Sequence, residues 1–290
     1  MNKIFSIIKL LKIKHYIKNI VVIIPLIFSL KLNDLNSILL SIGALSCFCL
    51  ISSAVYILND ILDTENDKKH PIKKNRPIAS GAISIPLAWL LFLIIASTSL
   101  SFSILINKFV FITIFSYLVL NIWYSTQLKF FPIIDVVCIA LGFIFRVLAG
   151  CFAITVVPSP LIILLTFFSS MFFTFSKRKL EYGLIKEKTN CRKSMNEYNE
   201  ALLNQFVTIN AILSIAFYFT YMLDSTTIQK TGAEYLYITT IPFTVIMLRL
   251  LLDIYTYQNN DDPANFIYQD NTLKFTILVY FVVLFIVLSI

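Results

Sequence analysis

Asn59-Asp60-Ile61-Leu62-Asp63-Thr64-Glu65-Asn66-Asp67 closes a long apolar run, Ile38 to Leu58, and opens into a basic loop, Lys68 to Arg76. Carboxylates at the end of an apolar helix are costly unless a cation meets them. At about 100° per residue, a continuous helix would place Asp60, Asp63 and Asp67 within an arc of roughly 60°. Three acids on one face, with Lys73, Lys74 and Arg76 just beyond, are what a metal-bound diphosphate needs. The acids take Mg²⁺, the ion bridges phosphate oxygens, and basic side chains neutralise the rest. The plain alternative is a solvated helix end with incidental charges.

The rest of the chain has the composition of a membrane protein. Hydrophobic residues make up 58% and charged residues 14%, with a mean hydropathy of +0.82, whereas soluble domains average about 25% charged. Lipid is therefore the solvent for most side chains. The N-terminus does not read as a signal peptide, because Lys9, Lys12, Lys14 and Lys18 interrupt it and no small-residue cleavage site follows. Runs long enough to span, about 17–25 residues each, predict an all-α polytopic bundle of about nine transmembrane helices. They lie near 17–33, 37–62, 83–106, 109–127, 133–154, 158–176, 204–223, 233–252 and 273–290.

The charges orient this bundle. With the N-terminus cytoplasmic, 18 of the 24 Lys and Arg fall in the N-terminal segment and the 2–3, 4–5 and 6–7 loops, while Lys31, Lys108 and Lys230 lie opposite. This is the positive-inside pattern. The longest inside loops follow helices 2 and 6, and each begins with a charged cluster: Asp60/Asp63/Asp67, then Lys177/Arg178/Glu181. Their four-helix separation suggests a single domain, 1–290, made of two four-helix halves (about 15–127 and 133–252) and a last helix, 273–290. The alternative is two unrelated loops.

Cys47, Cys49, Cys138 and Cys151 sit in apolar runs and Cys191 in a cytoplasmic loop, without zinc-ligand spacing. His15 and His70 have no partner that would make a base or a metal ligand. Helix 5 is more informative. Asp135 lies near its cytoplasmic end and Arg146 eleven residues deeper, about 16 Å along the axis and on nearly the same face. Arg146 is either half of a buried ion pair holding the bundle or an anion-binding group on the floor of a polar cavity. Before helix 5 runs Tyr124-Ser125-Thr126-Gln127-Leu128-Lys129, and after helix 6 Ser176-Lys177-Arg178-Lys179-Leu180-Glu181. Such cations suit phosphate groups, and they also anchor helices at anionic membrane surfaces.

Together these residues resemble the UbiA-type intramembrane prenyltransferase superfamily, whose first aspartate motif is matched by Asn59-Asp60-x-x-Asp63-x-x-x-Asp67. The continuation is similar to the decaprenyl-phosphate phosphoribosyltransferase branch. It includes Lys18-Asn19, His70-Pro71, Arg76-Pro77, Ser80-Gly81, Tyr124 to Lys129, Gly142-x-x-x-Arg146-x-x-x-Gly150, Lys177-Arg178-x-x-Glu181, Arg192, Tyr198, Asp262-Pro263 and Asp270. Two departures stand out. The branch begins with an Arg-Pro pair and a Trp where this chain has Lys12-Ile13 and Tyr16. Residues 177–203 also contain no aspartate, so the second aspartate motif of the aromatic prenyltransferases is missing.

The resemblance implies a helical bundle around a central cavity, in the cell (inner or plasma) membrane with the active site facing the cytoplasm. It implies Mg²⁺-dependent transfer of 5-phosphoribosyl from phosphoribosyl pyrophosphate to a polyprenyl phosphate, releasing pyrophosphate, in cell-envelope biosynthesis. Asn59, Asp60, Asp63 and Asp67 would hold the metal, with Asp60 and Asp63 catalytic. Lys18, Asn19, Lys73, Arg76, Tyr124, Lys129, Asp135, Arg146, Lys177, Arg178 and Glu181 would bind substrate. The partners expected are the two substrates and the bilayer, with no nucleic acid; a homo-oligomer stays open. One alternative enzyme moves a prenyl chain from prenyl diphosphate to an aromatic acceptor. A transporter or lipid flippase is the non-enzyme alternative, but its charges should reach both faces.

Overall fold

The computed structural model describes residues 3–185, 197–256 and 263–289. Arg192, Asp262 and Cys191 lie outside the described residues. All secondary structure among the described residues is helical, and eight helices are long and apolar enough to cross a membrane.

The first compact unit comprises residues 1–129 and 145–157. It contains α1 (Lys3–Leu11), a 3-10 helix (Ile13–Ile23), α2 (Ile24–Phe28), α3 (Leu35–Leu62), α4 (Thr64–Lys69), α5 (Ile85–Ile106) and α6 (Lys108–Thr126). The second unit, 130–144 and 158–290, contains α8 (Pro160–Ile185), α9 (Glu200–Leu223), α10 (Ser225–Thr231), α11 (Thr240–Thr256), α12 (Ala264–Gln269) and α13 (Asn271–Ser289). Helix α7 (Ile134–Ala153) gives its first half to the second unit and its second half to the first.

α3 is the axis of the first unit and packs against α5, α6 and the 3-10 helix. Residue size, rather than polarity, separates its inside from its outside. α5 turns Ala88, Phe92, Ala96, Ser99 and Ser103 inward, while Leu90, Leu93, Ile94 and Leu105 are exposed. Small residues at every third or fourth place let helix backbones approach where lipid removes the hydrophobic drive for packing. Hydroxyls inside the spans satisfy themselves locally: Thr113, Thr174 and Ser214 each donate to the carbonyl four residues earlier. In the second unit α8 packs chiefly on α9, and α11 on α13 and α9.

Two expectations need correction. The first span, expected over 17–33, is an eleven-residue 3-10 helix followed by the five-residue α2. Such 3-10 runs seldom exceed four residues, and the inward pattern explains this one. Asn19 and Val22, three residues apart, are buried, and half-buried Tyr16 begins the series. A period of three fits a 3-10 helix and would spiral around an α-helix. The sixth span, expected to end at 176, continues to Ile185. Lys, Arg, Leu and Glu at 177–181 are strong helix formers, and Arg178 donates to Glu181 one turn later at 2.9 Å.

Candidate active site

The acids after α3 do not share one helix. α3 ends at Leu62 and Asp63 breaks the turn (φ −92°, ψ 4°), while the Thr64 hydroxyl bonds back to the carbonyls of Asp60 and Ile61. Asp67 therefore rides on α4. Arg76 restores the grouping from outside: its Nη1 donates to Asp67 Oδ2 at 2.7 Å and to Asp60 Oδ1 at 3.2 Å. Lys12 Nζ reaches Asp60 Oδ1 at 2.7 Å, and Lys129 Nζ reaches Asp63 Oδ1 at 2.6 Å. The Asn59 side-chain oxygen accepts from the Ser125 hydroxyl. Asp60 and Asp67 are buried and Asp63 is half-buried. The first unit thus carries Asn59, Asp60, Asp63, Asp67 and Arg76 at and after the end of α3, with Lys129 brought to Asp63 from the loop after α6. Lys73 stands on the single 3-10 turn (Lys73–Asn75) just before Arg76, and Tyr124 lies on the last turn of α6.

The basic loop is held by His70. Its Nδ1 accepts from the backbone N–H groups of Ile72 at 3.2 Å and Lys73 at 3.3 Å. Partial burial, with Lys73 and Arg76 nearby, holds the imidazole below its ordinary pKa, so the neutral, accepting form is favoured.

Deeper in the same unit, Arg146 is buried but not stranded. Its Nε donates to Asn19 Oδ1 at 2.8 Å and its Nη2 to the Tyr117 hydroxyl at 3.3 Å. The guanidinium carbon lies 5.1 Å from the Tyr117 ring centroid and 5.5 Å from that of Phe48. Ser52 and Cys49 complete the ring around Asn19. Gly150 lets this layer close, since a Cβ there would sit 2.1 Å from the Val22 carbonyl oxygen. Lys18, one residue before Asn19, is exposed.

In the second unit Asp135 has Arg178 as its partner, accepting from Nε at 3.2 Å and Nη2 at 2.8 Å, with both residues buried. The ion pair considered between Asp135 and Arg146 is therefore satisfied elsewhere on both sides, as the roughly 16 Å of helix between them requires. Arg178, expected from the resemblance to bind substrate together with Asp135 and Glu181, forms a triad with those two acids. The extension of α8 explains this, because it fixes Arg178 on the inner face of a helix. Tyr198 caps the arrangement, its hydroxyl accepting from the Ile133 N–H at 2.6 Å. Lys177 is half-buried one residue earlier, and Lys179 lies over the Tyr255 ring, 2.8 Å from its centroid.

The first-unit acids suit a hard divalent ion. Three carboxylates and an amide oxygen are the donors Mg²⁺ prefers, and Asp60 Oδ2 is buried without a hydrogen-bond partner, an acceptor left open at the centre of the group. Among the described residues no three acids yet stand close enough to hold an ion. Lys12 and Arg76 engage Asp60 Oδ1, Arg76 also Asp67 Oδ2, and Lys129 Asp63 Oδ1. Binding a metal there means exchanging ammonium and guanidinium partners for the ion. Lys12 was not among the expected site residues, although its place in the first departure from the branch pattern was the signal that pointed to it.

Among the described residues, an all-helical fold with eight helices long and apolar enough to cross a membrane thus carries an acid–base group at a helix end. The chain belongs to the UbiA prenyltransferase family, which matches residues 21–279. Within that family it stands with the decaprenyl-phosphate phosphoribosyltransferases. The relative of that name in Mycolicibacterium smegmatis is 31% identical over 215 residues, 71% of this chain and 67% of the relative. The Mycobacterium tuberculosis relative of the same name is 26% identical over 259 residues, 87% of this chain and 84% of its own. In structure, a UbiA homolog from Archaeoglobus fulgidus solved with GPP and Mg²⁺ superposes with a TM-score of 0.72, covering 98% of this chain and 100% of that one at 16% identity. That likeness concerns the fold.

Proposed function

We propose that this multi-pass membrane enzyme transfers a 5-phosphoribosyl group from phosphoribosyl pyrophosphate to the phosphate of a polyprenyl lipid, in a Mg²⁺-dependent reaction at the cytoplasmic face of the cell membrane. The reading rests on one observation above others: three acids of the first unit are each held by a cation, Asp60 and Asp67 by the shared Arg76 and Asp63, at the break between their helices, by Lys129. A bound diphosphate can enter such a group by partner exchange, the acids passing to a metal and the cations to phosphate oxygens.

Asn59, Asp60, Asp63 and Asp67 would hold the ion, which neutralises charge developing on the leaving pyrophosphate. Arg76 offers a fork to phosphate oxygens and Lys129 a point charge. A lipid-phosphate oxygen forms the new bond to the anomeric carbon, the bond from that carbon to pyrophosphate breaks, and the electron pair leaves with pyrophosphate. The attacking oxygen is already ionised near neutral pH, so the chain needs no strong base. Lys177 is the second-unit cation suited to a further phosphate, while Arg178, Asp135 and Glu181 position the helix end that carries it. Apolar helix walls suit the lipid tail.

Membranes containing the protein, given radiolabelled phosphoribosyl pyrophosphate, Mg²⁺ and a polyprenyl phosphate, should yield an acid-labile labelled lipid and free pyrophosphate. The same membranes given polyprenyl diphosphate and 4-hydroxybenzoate should yield no prenylated aromatic. The aromatic product without the ribosylated lipid would replace this reading with aromatic prenyl transfer.

A further inference from the structure

Lys12 marks the break between α1 and the 3-10 helix. Its backbone is left-handed (φ 52°, ψ 44°), a conformation that a lysine adopts at a cost and glycine would adopt freely. Three hydrogen bonds hold the break in place. The Ser53 hydroxyl donates to the Leu11 carbonyl at 2.9 Å, the His15 N–H to the Lys12 carbonyl at 2.8 Å, and Lys9 Nζ to the Asn75 carbonyl at 2.9 Å. The side chain is thereby aimed across the Tyr56 ring, Nζ lying 5.0 Å from its centroid, and onto Asp60 Oδ1 at 2.7 Å. Tyr56 and Asp60 are one turn apart on α3.

An ammonium on Oδ1 offsets the charge that Asp60 would offer a metal at its open Oδ2 and keeps both oxygens from serving one ion. Arg76 touches Oδ1 but is also tied to Asp67, so it spans two acids and cannot leave one without disturbing the other. Lys12 is bonded to a single acid, and its side chain is 20% exposed. Its four-carbon stem lies across Tyr56, and its rotatable bonds allow the ammonium to move while the backbone stays pinned. A metal held by Asp60 would bring its phosphate ligands beside Lys12, whose ammonium already lies on that carboxylate.

We propose that Lys12 is a placeholder cation and a positioning residue for the leaving group. It neutralises Asp60 until the metal-bound diphosphate arrives, then yields Oδ1 to the ion and moves its ammonium to the pyrophosphate end. The inference rests on the metal reading above and adds to it a residue and an order of exchange.

The distinguishing consequence is that removing the lysine should shift metal and donor affinities in opposite directions. Lys12→Met keeps an apolar stem on Tyr56 and removes the charge. In detergent-purified protein without substrate, Mn²⁺ followed by electron paramagnetic resonance should bind about tenfold tighter to this variant, the scale of one lost charge-assisted competitor. Its KM for phosphoribosyl pyrophosphate should rise, while Lys12→Arg stays near wild type in both. A lysine with only a structural role would leave the Mn²⁺ midpoint unchanged or weaken it, and either result overturns the proposal. A second measurement uses the wild-type chain alone: amine acylation at Lys12, read by mass spectrometry, should rise with Mg²⁺ and fall again when pyrophosphate is added. Labelling indifferent to Mg²⁺ also overturns it. Wild-type protein that takes up no Mn²⁺ removes the metal reading itself, an outcome distinct from metal that binds wild type and variant alike.

Discussion

Lys129 Nζ and Asp63 Oδ1, 66 residues apart in the chain, meet at 2.6 Å. This contact joins the loop after α6 to the break after α3, and it is where the diphosphate reading is most exposed to test. Asp63→Asn should leave the protein folded in detergent and reduce turnover by orders of magnitude, because several kcal/mol of charge stabilisation would be lost. EDTA should abolish wild-type activity. Lipid-product assays with and without chelator check both, and activity that survives EDTA ends the idea.

The Asp135–Arg178 pair is buried on both sides, so removing one partner strands a charge. Arg178→Gln should destabilise the fold by about 3–5 kcal/mol. In a double-mutant cycle with Asp135→Asn, the coupling measured by denaturation in detergent should exceed about 1 kcal/mol. Lys177→Ala, by contrast, should keep the melting temperature and raise KM for the multiply phosphorylated donor. Additive losses in the cycle would show that the triad does not act as a unit.

Gly150 faces the Val22 carbonyl too closely for any side chain. Gly150→Ala should force α7 and the 3-10 helix apart and cost about 1–3 kcal/mol, the usual penalty of overpacking. Arg146→Lys should also lose stability, since lysine cannot reproduce the fork to Asn19 and Tyr117. Thermal melts of the two variants test this; a melt for either that matches wild type would mean the layer around Asn19 is looser than its distances indicate.

His70 makes the basic loop pH-dependent. Its folded pKa lies below the ordinary value of 6.5, so the loop contribution is fully present above that value and is lost as pH falls through the lower folded one. Protonation removes the Nδ1 acceptor that holds Ile72 and Lys73. Amide exchange at those two residues should accelerate as pH drops below the histidine range, after correction for intrinsic rates. His70→Gln should flatten the effect.

The membrane class, the long spans and the acid–base character of the site were determined by the sequence alone, because lipid demands apolar helices of fixed length and tolerates charge only where it has a use. The aspartates, Arg76 and Lys129 were legible for that reason. Their partners were not. Periodicity assumes one continuous helix, and Asp63 ends it, so only tertiary structure shows Arg76 bridging Asp60 to Asp67 across the break. The 3-10 helix was equally hidden: its period of three becomes evident once Asn19 and Val22 are seen packed inward behind half-buried Tyr16. The partners of Arg178 (Asp135 and Glu181) and of Lys12 (Asp60) were hidden for the same reason. A charge near a helix end reads alike whether it faces solvent, substrate or another side chain, and only packing decides which desolvated partner it meets.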